Sequence, residues 1–306
     1  MNGVLLIDKP QDYTSFDVVA VVRGMTREKK IGHTGTLDPM ATGVLVLLLG
    51  RAAKAADLLP DTDKEYCAAF RLGERTDTGD STGKILERDD VSISRETLEA
   101  ALKGFQGEIE QIPPMVSAVS VGGKRLYELA RKGIEVERAA RKVWIRSCTL
   151  ETYDEETREG VLTVACSKGT YIRTLIEDVA RAAGTLGVMT ALRRTRACGC
   201  SVEETTPLSE LKAITDRDEL MQTLQSMLRP VDTLFRDEPE VTVSPAQAAR
   251  FCNGGSLSVQ RLRMPRIALT PETRFRIYGD DGTFLGLSKA DPEHGELRFV
   301  KRFSDD

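Results

Sequence analysis

The sequence contains few of the residues on which metal sites and disulfide scaffolds depend. Its 306 residues include 2 histidines and 6 cysteines. Cysteines that are this sparse and irregularly spaced argue against a disulfide scaffold, and we expect them to be reduced. Because the histidines are His33 and His294 alone, and Cys198 and Cys200 are separated by a single residue, no structural zinc site is expected.

Long apolar runs and phosphate-binding glycine loops are also missing. The apolar run Val44 to Leu49 is far too short to cross a bilayer. The first ten residues lack the basic start and long apolar region of a secretory signal, so we expect a cytoplasmic protein. Neither GxGxxG nor GxxxxGK followed by Ser or Thr occurs, which argues against a dinucleotide or P-loop nucleotide site.

The composition is that of an ordinary globular protein, with 41% hydrophobic and 29% charged residues. The length suits one large domain with a small one, or two of middling size. A formal net charge of −4 argues mildly against a large nucleic-acid footprint. However, basic residues cluster locally, as at Arg193, Arg194 and Arg196. Such clusters either form a phosphate-binding face or are ordinary solvated surfaces.

The most informative stretch runs from Ile31 to Gly50, where a polar, turn-forming segment directly precedes a buried-strand pattern. Gly35 and Gly43 favour turns in this segment, which also carries Asp38. A carboxylate on such a loop, anchored by the strand Val44 to Leu49, is a plausible catalytic position. The alternative is an ordinary capped turn that leads into the core, and the spacing alone leaves both open.

Strand and helix patterns mix along the first 238 residues without the strict alternation of a doubly wound sheet, which favours an α+β fold. The polar segment 73–83 has little to bury and is predicted to be a surface or ligand loop. Strands are predicted at 3–8, 44–49, 64–72, 141–153, 160–167 and 188–197, and helices at 16–23, 52–59, 94–105, 171–183 and within 208–228.

A domain boundary is predicted at Glu238-Pro239, because the pattern then changes to short strands and turns. We therefore expect one large domain over 1–238 and a compact, mainly β module over 239–306.

Several motifs, spread over almost the whole chain, together resemble one family. They are GVLLIDKP, TSFDVV, GHTGTLDPMATGVLVLLLG, DKEYCAAFRLGERTDTGDSTG, GKRLYELARKGIEV, SKGTYIRTLIEDVA and LRRTR. In order and spacing they resemble the bacterial tRNA pseudouridine-55 synthases of the TruB type. The resemblance implies a mixed, largely antiparallel sheet flanked by helices, followed by a small, β-rich PUA-like module that binds RNA. Asp12, Ala53 and Val116 depart from the residues usual in that family.

The resemblance also implies a reaction. Such enzymes isomerise a uridine in the T arm of tRNA by detaching uracil from its ribose, rotating it and rejoining it through carbon, without cofactor or metal. The family's catalytic aspartate falls on Asp38. This carboxylate acts either as a nucleophile at the sugar or as a base that removes a sugar proton, and the sequence leaves both roles open.

Other site residues follow from the resemblance alone. Tyr66 would stack on the target base, and Arg173 would pair with the catalytic carboxylate. His33 would contact RNA beside the flipped base, while Tyr171 and Leu192 would line the uridine pocket. Without the motifs, each would be read as an ordinary structural residue.

Two further sets have weaker support. Asp80 matches a polar residue near the active site, with a loop-capping aspartate as the alternative. Arg193, Arg194 and Arg196 would contact RNA phosphates, which position RNA without reading its sequence. The expected partner is the T-arm stem-loop of tRNA, with no membrane and no protein partner, so a monomer is expected.

Two other functions remain as alternatives. One is a tRNA-binding folding helper in which catalysis is secondary. The other is a carboxylate-based hydrolase of small molecules, which would need a second positioned acid, with Asp80 as the candidate.

Overall fold

The computed structural model describes residues 1–304. The strands within residues 1–238 are β1 (Gly3–Lys9), β2 (Ile31–His33), β3 (Thr42–Leu49), β4 (Lys64–Leu72), β5 (Glu74–Thr76), β6 (Ile85–Arg88), β7 (Gly107–Gln111), β8 (Ser120–Val121), β9 (Lys124–Arg125), β10 (Arg141–Asp154), β11 (Glu159–Cys166), β12 (Gly187–Ala197), β13 (Cys200–Ser201) and β14 (Thr206–Pro207). The later strands are β15 (Glu240–Val243), β16 (Leu257–Ser258), β17 (Arg274–Gly279), β18 (Phe284–Asp291) and β19 (Glu296–Arg302). The α-helices are α1 (Ser15–Thr26), α2 (Arg95–Lys103), α3 (Leu126–Ala130), α4 (Ile172–Ala182), α5 (Leu208–Ala213), α6 (Arg217–Met227) and α7 (Pro245–Cys252). Short 3₁₀ helices cover Gly50–Ala55, Val202–Glu204, Val231–Phe235 and Val259–Arg261.

Ten strands of the described residues form the main sheet, in the order β14-β1-β3-β12-β4-β11-β10-β7, with β2 beside β3 and β13 beside β12. Only the β1–β14 and β3–β12 pairs within this sheet are parallel. The sheet is therefore mixed and largely antiparallel, which confirms the α+β fold predicted from the sequence.

Strand β3 is apolar without interruption because both of its faces are buried. Val44, Val46 and Leu48 pack into the core on the side of the C-terminal module. Leu45 and Leu47 pack into a second core against α1, α5 and α6. The strand that follows the Asp38 loop is thus fixed from both sides, which makes that end of the loop rigid.

Two helices flank the loop that carries Asp38. Helix α1 begins with a capping box, in which the Thr14 side chain accepts from the Asp17 amide and Asp17 accepts from the Thr14 amide. Helix α4 buries Ile172, Leu175 and Ile176 in the core formed with β4 and β12. Because its apolar face is so deeply packed, the first turn of α4 has a fixed position relative to the sheet.

The polar segment 73–83 was predicted to have little to bury, but some of its polar side chains are buried. Its first residues form β5, which pairs with β6 in a hairpin. Thr76 and Asp80 are buried, because the Thr76 hydroxyl donates to the Asp80 carbonyl at 2.7 Å and the Asp80 carboxylate accepts from neighbouring threonines. Side chains that satisfy one another in this way can be buried despite their polarity.

The C-terminal strands form a separate five-stranded sheet in the order β15-β17-β18-β19-β16, with its own apolar core. This sheet also packs onto the rest of the chain, because Leu287 and Phe303 join the core that contains Val46 and Phe235. Across residues 1–304, no helix is both long and apolar enough to span a membrane.

Candidate active site

The loop over residues 34–41 is held by hydrogen bonds that other groups donate to its backbone carbonyls. A buried arginine donates to two of these carbonyls. Arg194 of β12 is completely buried. Its guanidinium donates to the carbonyls of Gly35 at 3.1 Å, Thr36 at 3.5 Å and Val44 at 2.7 Å. Because the planar guanidinium carries several donors in a fixed arrangement, one side chain joins the start of β3 to the loop before it.

Two more side chains hold the next part of the loop. The Ser15 hydroxyl accepts from the Leu37 amide at 2.8 Å and donates to the Leu37 carbonyl at 3.3 Å. The ammonium of Lys9 donates to the Pro39 carbonyl at 3.2 Å and to two carbonyls of the turn that follows β1. Burial lowers the pKa of Lys9 to about 8.

Hydrogen bonds between backbone groups also hold this loop. The amide of Asp12 donates to the Pro39 carbonyl at 2.9 Å, and the amide of Ala41 donates to the Asp38 carbonyl at 3.0 Å. Asp12 has φ +66°, so the left-handed turn survives although Asp stands where the family usually has glycine. Every carbonyl from position 35 to 39 therefore accepts a hydrogen bond, and the loop presents Asp38 from a fixed backbone.

The Asp38 carboxylate pairs with Arg173, the second residue of α4. Nη2 of Arg173 lies 2.9 Å from Oδ2 of Asp38. The arginine side chain is 4% exposed and the aspartate side chain 34%, so the carboxylate is accessible while the guanidinium is buried behind it. Arg173 also donates to the carbonyls of Thr78 at 2.8 Å and Val116 at 2.9 Å. Because the contact at Val116 is to the backbone, the departure from the family's tyrosine does not remove it.

Asp80 lies behind this pair. Its Oδ1 accepts from the Thr78 hydroxyl at 2.9 Å and from the Thr82 amide at 3.0 Å, while Oδ2 lies 3.9 Å from Nε of Arg173. The side chain is thus both a loop cap and a second carboxylate beside the arginine. Asp80 is buried and is not among the described residues that line the cleft, so it does not serve as the second exposed acid that the hydrolase alternative assigned to it.

Asp38 and Arg173 border a cleft of about 1240 Å³. Its walls are the Asp38 loop, the start of α1, the β5–β6 hairpin, the start of α4 and the segment 114–138. A space of this size exceeds a usual small-molecule pocket and is suited to an extruded nucleotide together with its neighbours.

His33 also borders the cleft, from the end of β2. Burial, with the nearby Arg194 charge, lowers the pKa of His33. The imidazole is therefore neutral at neutral pH, and its buried Nδ1 has no hydrogen-bond partner within the described residues. A neutral ring can both donate and accept, which is useful for a polar ligand.

Tyr66 and Leu192 are packed in the same core as Leu37 and Met40, beside the Asp38 loop, and do not belong to the described cleft wall. Tyr66 is 6% exposed, and its burial raises the pKa of the phenol. The ring is therefore neutral and mostly covered by protein. The ring lies close to the Asp38 loop but is not exposed to solvent.

Tyr171 immediately precedes α4, and its backbone is fixed by Gln111. The amide side chain of Gln111 accepts from the Tyr171 N–H at 3.0 Å and donates to the Tyr171 carbonyl at 3.3 Å. This double contact orients the chain two residues before Arg173.

The three clustered arginines do not share a face, and the predicted phosphate contact is wrong for Arg194. Its guanidinium is fully buried and bound to carbonyls, so RNA cannot reach it. Arg193 points to the other side of β12 and pairs with Asp8 at 2.6 Å, while Arg196 is exposed. Consecutive residues of a strand alternate between faces, which separates Arg193 from Arg194.

Sequence reasoning missed Lys9, Ser15 and Gln111. A signal for Lys9 was present, because strand alternation places it on the same face as Leu5 and Ile7, which are core residues. No sequence pattern identifies the carbonyls that Ser15 and Gln111 contact, since these depend on the packing of distant segments.

Three family models match consecutive parts of the chain. "TruB family pseudouridylate synthase (N terminal domain)" matches residues 23–172. "tRNA pseudouridylate synthase B C-terminal domain" matches 173–236, and "Pseudouridine synthase II TruB, C-terminal" matches 239–298.

Similar proteins carry the same family name over nearly the full length. The chain is 42% identical over 298 residues to the tRNA pseudouridine synthase B of Cupriavidus metallidurans, covering 97% of this chain and 93% of that protein. It is 40% identical to the protein of that name from Chromobacterium violaceum, covering 95% and 91%.

Solved structures give the same fold. A structure described as a Cbf5-Nop10-Gar1 complex aligns with a TM-score of 0.74 at 25% identity, covering 99% of this chain and 85% of the matched chain. An archaeal Nop10-Cbf5 complex aligns with a TM-score of 0.72 at 22% identity and supports the fold alone.

Proposed function

Because the chain belongs to the TruB family of pseudouridylate synthases, which are RNA-modifying isomerases, we propose that its substrate is tRNA and that it converts the T-arm uridine at position 55 to pseudouridine. The observation that carries this proposal is the pairing of a cleft-facing Asp38 with a buried Arg173. The buried guanidinium forms an ion pair with the carboxylate and fixes its direction.

The proposed reaction needs only an ionised carboxylate and a way to hold the base. The bond between C1′ and N1 breaks, uracil rotates, and C5 bonds to C1′; the C5 hydrogen leaves as a proton and N1 takes up a proton, so the product is an isomer of the substrate. Asp38 either attacks the sugar or removes a sugar proton during this exchange. Both routes use the same exposed oxygen, since the other faces Arg173.

The remaining site residues would hold the nucleotide. We propose that Tyr66 stacks on the base, that Tyr171 and Leu192 line its pocket, and that His33 contacts RNA beside it. The packing of Tyr66 and Leu192 next to the Asp38 loop supports these roles. Asp80 is proposed to act through Arg173, whose Nε faces its carboxylate.

The assignment of separate functions to the two parts of the chain is also a proposal. Residues 1–238 would catalyse and residues 239–306 would bind RNA as a PUA-like module. Arg193 and Arg196 remain candidates for phosphate contacts. We further propose that the protein works as a monomer in the cytoplasm, where tRNA is modified.

Replacing Arg173 by Lys tests the ion pair. A lysine keeps the charge, but its donors all lie on one nitrogen and cannot reproduce the planar arrangement with which the guanidinium contacts two carbonyls and the carboxylate. We expect kcat to fall about 100-fold or more, with tRNA binding within a few-fold of the unchanged protein. Single-turnover kinetics and a binding titration would measure the two quantities. The exposed Arg181 of the same helix is a matched control, and R181K should change neither. Full activity in R173K would contradict the assigned role.

The choice of the T arm is tested with two RNA stem-loops of equal length, one from the T arm and one from the anticodon arm. We expect pseudouridine in the T-arm stem-loop alone. Modification of the anticodon stem-loop at a similar rate would refute the proposed arm but not the isomerase activity.

A further inference from the structure

We propose that Phe16, on the wall of the cleft, stacks on a base of the substrate RNA that lies next to the target uridine. The Phe16 side chain is 63% exposed, which is the largest exposed fraction among the large hydrophobic residues in the described part of the chain. It borders the same cleft as Asp38. This inference rests on the proposed function and adds to it a residue that positions the RNA.

The backbone at Phe16 has a fixed position relative to the Asp38 loop. The preceding residue, Ser15, is 1% exposed, and its hydroxyl binds both the amide and the carbonyl of Leu37, at 2.8 and 3.3 Å. Because consecutive Cα atoms lie about 3.8 Å apart, Phe16 and Asp38 are each only one residue away from this pair of hydrogen bonds. The capping box at Thr14 also fixes the start of helix α1. A ligand that reaches Asp38 therefore also comes close to Phe16.

The ring of Phe16 is held in place by an arginine two turns further along the helix. The guanidinium carbon of Arg23 lies over the ring, 5.6 Å from its centroid. Nη2 of Arg23 in turn donates to the carbonyl of Ile31 at 3.1 Å, two residues before His33, which also borders the cleft. The cation thus covers one face of the ring, and the large exposed fraction leaves the other face open to a ligand.

Helix α1 does not need Phe16 for its own packing. The helix is buried through Val18, Val19 and Val22, which belong to the core formed with β1 and β3. A single exposed hydrophobic residue is common on protein surfaces and does not indicate a site by itself. Phe16 differs because it lies on the wall of the cleft that contains Asp38, and because its ring and its backbone are both held. These features indicate a binding residue.

A nucleobase is the ligand that fits such a ring. Every base has a flat π-face, so it can stack on an aromatic side chain regardless of its identity. A ribose or a phosphate has no such face. Extrusion of the target uridine also unstacks the bases beside it, which costs free energy. The Phe16 ring replaces the stacking that one of these neighbouring bases loses.

The test compares three substitutions of Phe16 in the full chain. Phe16→Ala removes the ring, Phe16→Leu keeps apolar surface without a flat face, and Phe16→Trp keeps a flat ring. Kd and KM would be measured with the T-arm stem-loop. We expect F16A to raise both by about ten- to one-hundredfold, which corresponds to the loss of one base–aromatic stack. F16L should stay within about threefold of F16A, and F16W within about threefold of the unaltered protein. The midpoint of denaturant unfolding should not change, because the side chain is exposed.

RNA variants identify the base that the ring contacts. Two further stem-loops would lack the base directly before or directly after the target uridine, with the sugar and phosphate kept. For the RNA that lacks the contacted base, we expect F16A and the unaltered protein to have the same Kd, since no stack remains to be lost. With the other RNA, F16A should still bind more weakly than the unaltered protein.

Trp144→Ala is the matched control. Trp144 is another exposed aromatic residue with an arginine over its ring, Arg146 at 5.4 Å from the centroid, and within residues 1–304 it does not border the cleft. W144A should leave Kd unchanged.

The proposal would be overturned by an unchanged Kd in F16A or F16L, by an equal loss in W144A, or by a loss in F16A that persists with both abasic RNAs. If the unaltered protein forms no pseudouridine, the proposed function fails, and the Kd ratios still decide on Phe16.

Discussion

Replacing Asp38 by Asn is expected to lower the rate of pseudouridine formation by at least about 1000-fold, because the amide can neither attack the sugar nor accept its proton. The fold should be retained, since the side chain is 34% exposed and Asn has nearly the same shape. We expect tRNA binding to stay within a few-fold. Single-turnover release of the C5 hydrogen from labelled uridine would measure the rate, and a titration would measure binding.

Asp77 offers a matched control, because it is a second aspartate on the cleft wall and has no contact with Arg173 among the described interactions. D77N should keep most of the activity. Turnover by D38N at a comparable rate would contradict the catalytic role of Asp38. The same variant addresses the folding-helper alternative, which predicts that D38N still promotes tRNA folding after catalysis is lost.

Replacing Arg194 by Met is expected to lower the free energy of unfolding by about 3 kcal/mol or more. The change leaves the carbonyls of Gly35, Thr36 and Val44 without their donor, and a buried group left unpaired costs about 1 to 3 kcal/mol. We also expect kcat to fall while KM changes little, because the loop that presents Asp38 loses its main anchor. Denaturant unfolding and steady-state kinetics would measure these effects.

The matched control is Arg196→Met on the same strand, where the side chain is exposed. Its stability should change by no more than about 0.5 kcal/mol. If R194M were as stable and active as R196M, the buried guanidinium would not hold the loop. R194K should rescue only part of the stability, since an ammonium cannot follow the geometry of the guanidinium.

The elements that position the site were readable from the sequence where burial leaves a simple pattern. The uninterrupted run Val44 to Leu49 predicted a buried strand, and Gly35 with Gly43 predicted turns in the segment around it. A helix was also predicted over 171–183, and α4 covers Ile172–Ala182. These patterns depend on local geometry and can therefore be recognised without knowledge of the fold.

The contacts that hold the loop could not be read in the same way. The resemblance identified Asp38 and Arg173 as partners, and the geometry brings them within 2.9 Å. However, the adjacent arginines of β12 were treated as one cluster, although strand alternation separates Arg193 from Arg194. A bulge between Arg194 and Arg196 then changes the register.

The burial of polar residues was also not predicted from the sequence. Thr76 and Asp80 lie in a polar segment that was predicted to be a surface or ligand loop with little to bury, yet both are buried and hydrogen-bonded within that segment. Sequence patterns report hydrophobicity, whereas such burial depends on which donors and acceptors the fold brings together.

Mapping the product in whole tRNA at single-nucleotide resolution tests the central claim most directly. The purified protein would be incubated with unmodified tRNA in the presence of a metal chelator and without added cofactor. We predict pseudouridine at the T-arm position 55 and at no other uridine, with none formed by D38N. Pseudouridine at another position, or its formation by D38N, would contradict the account.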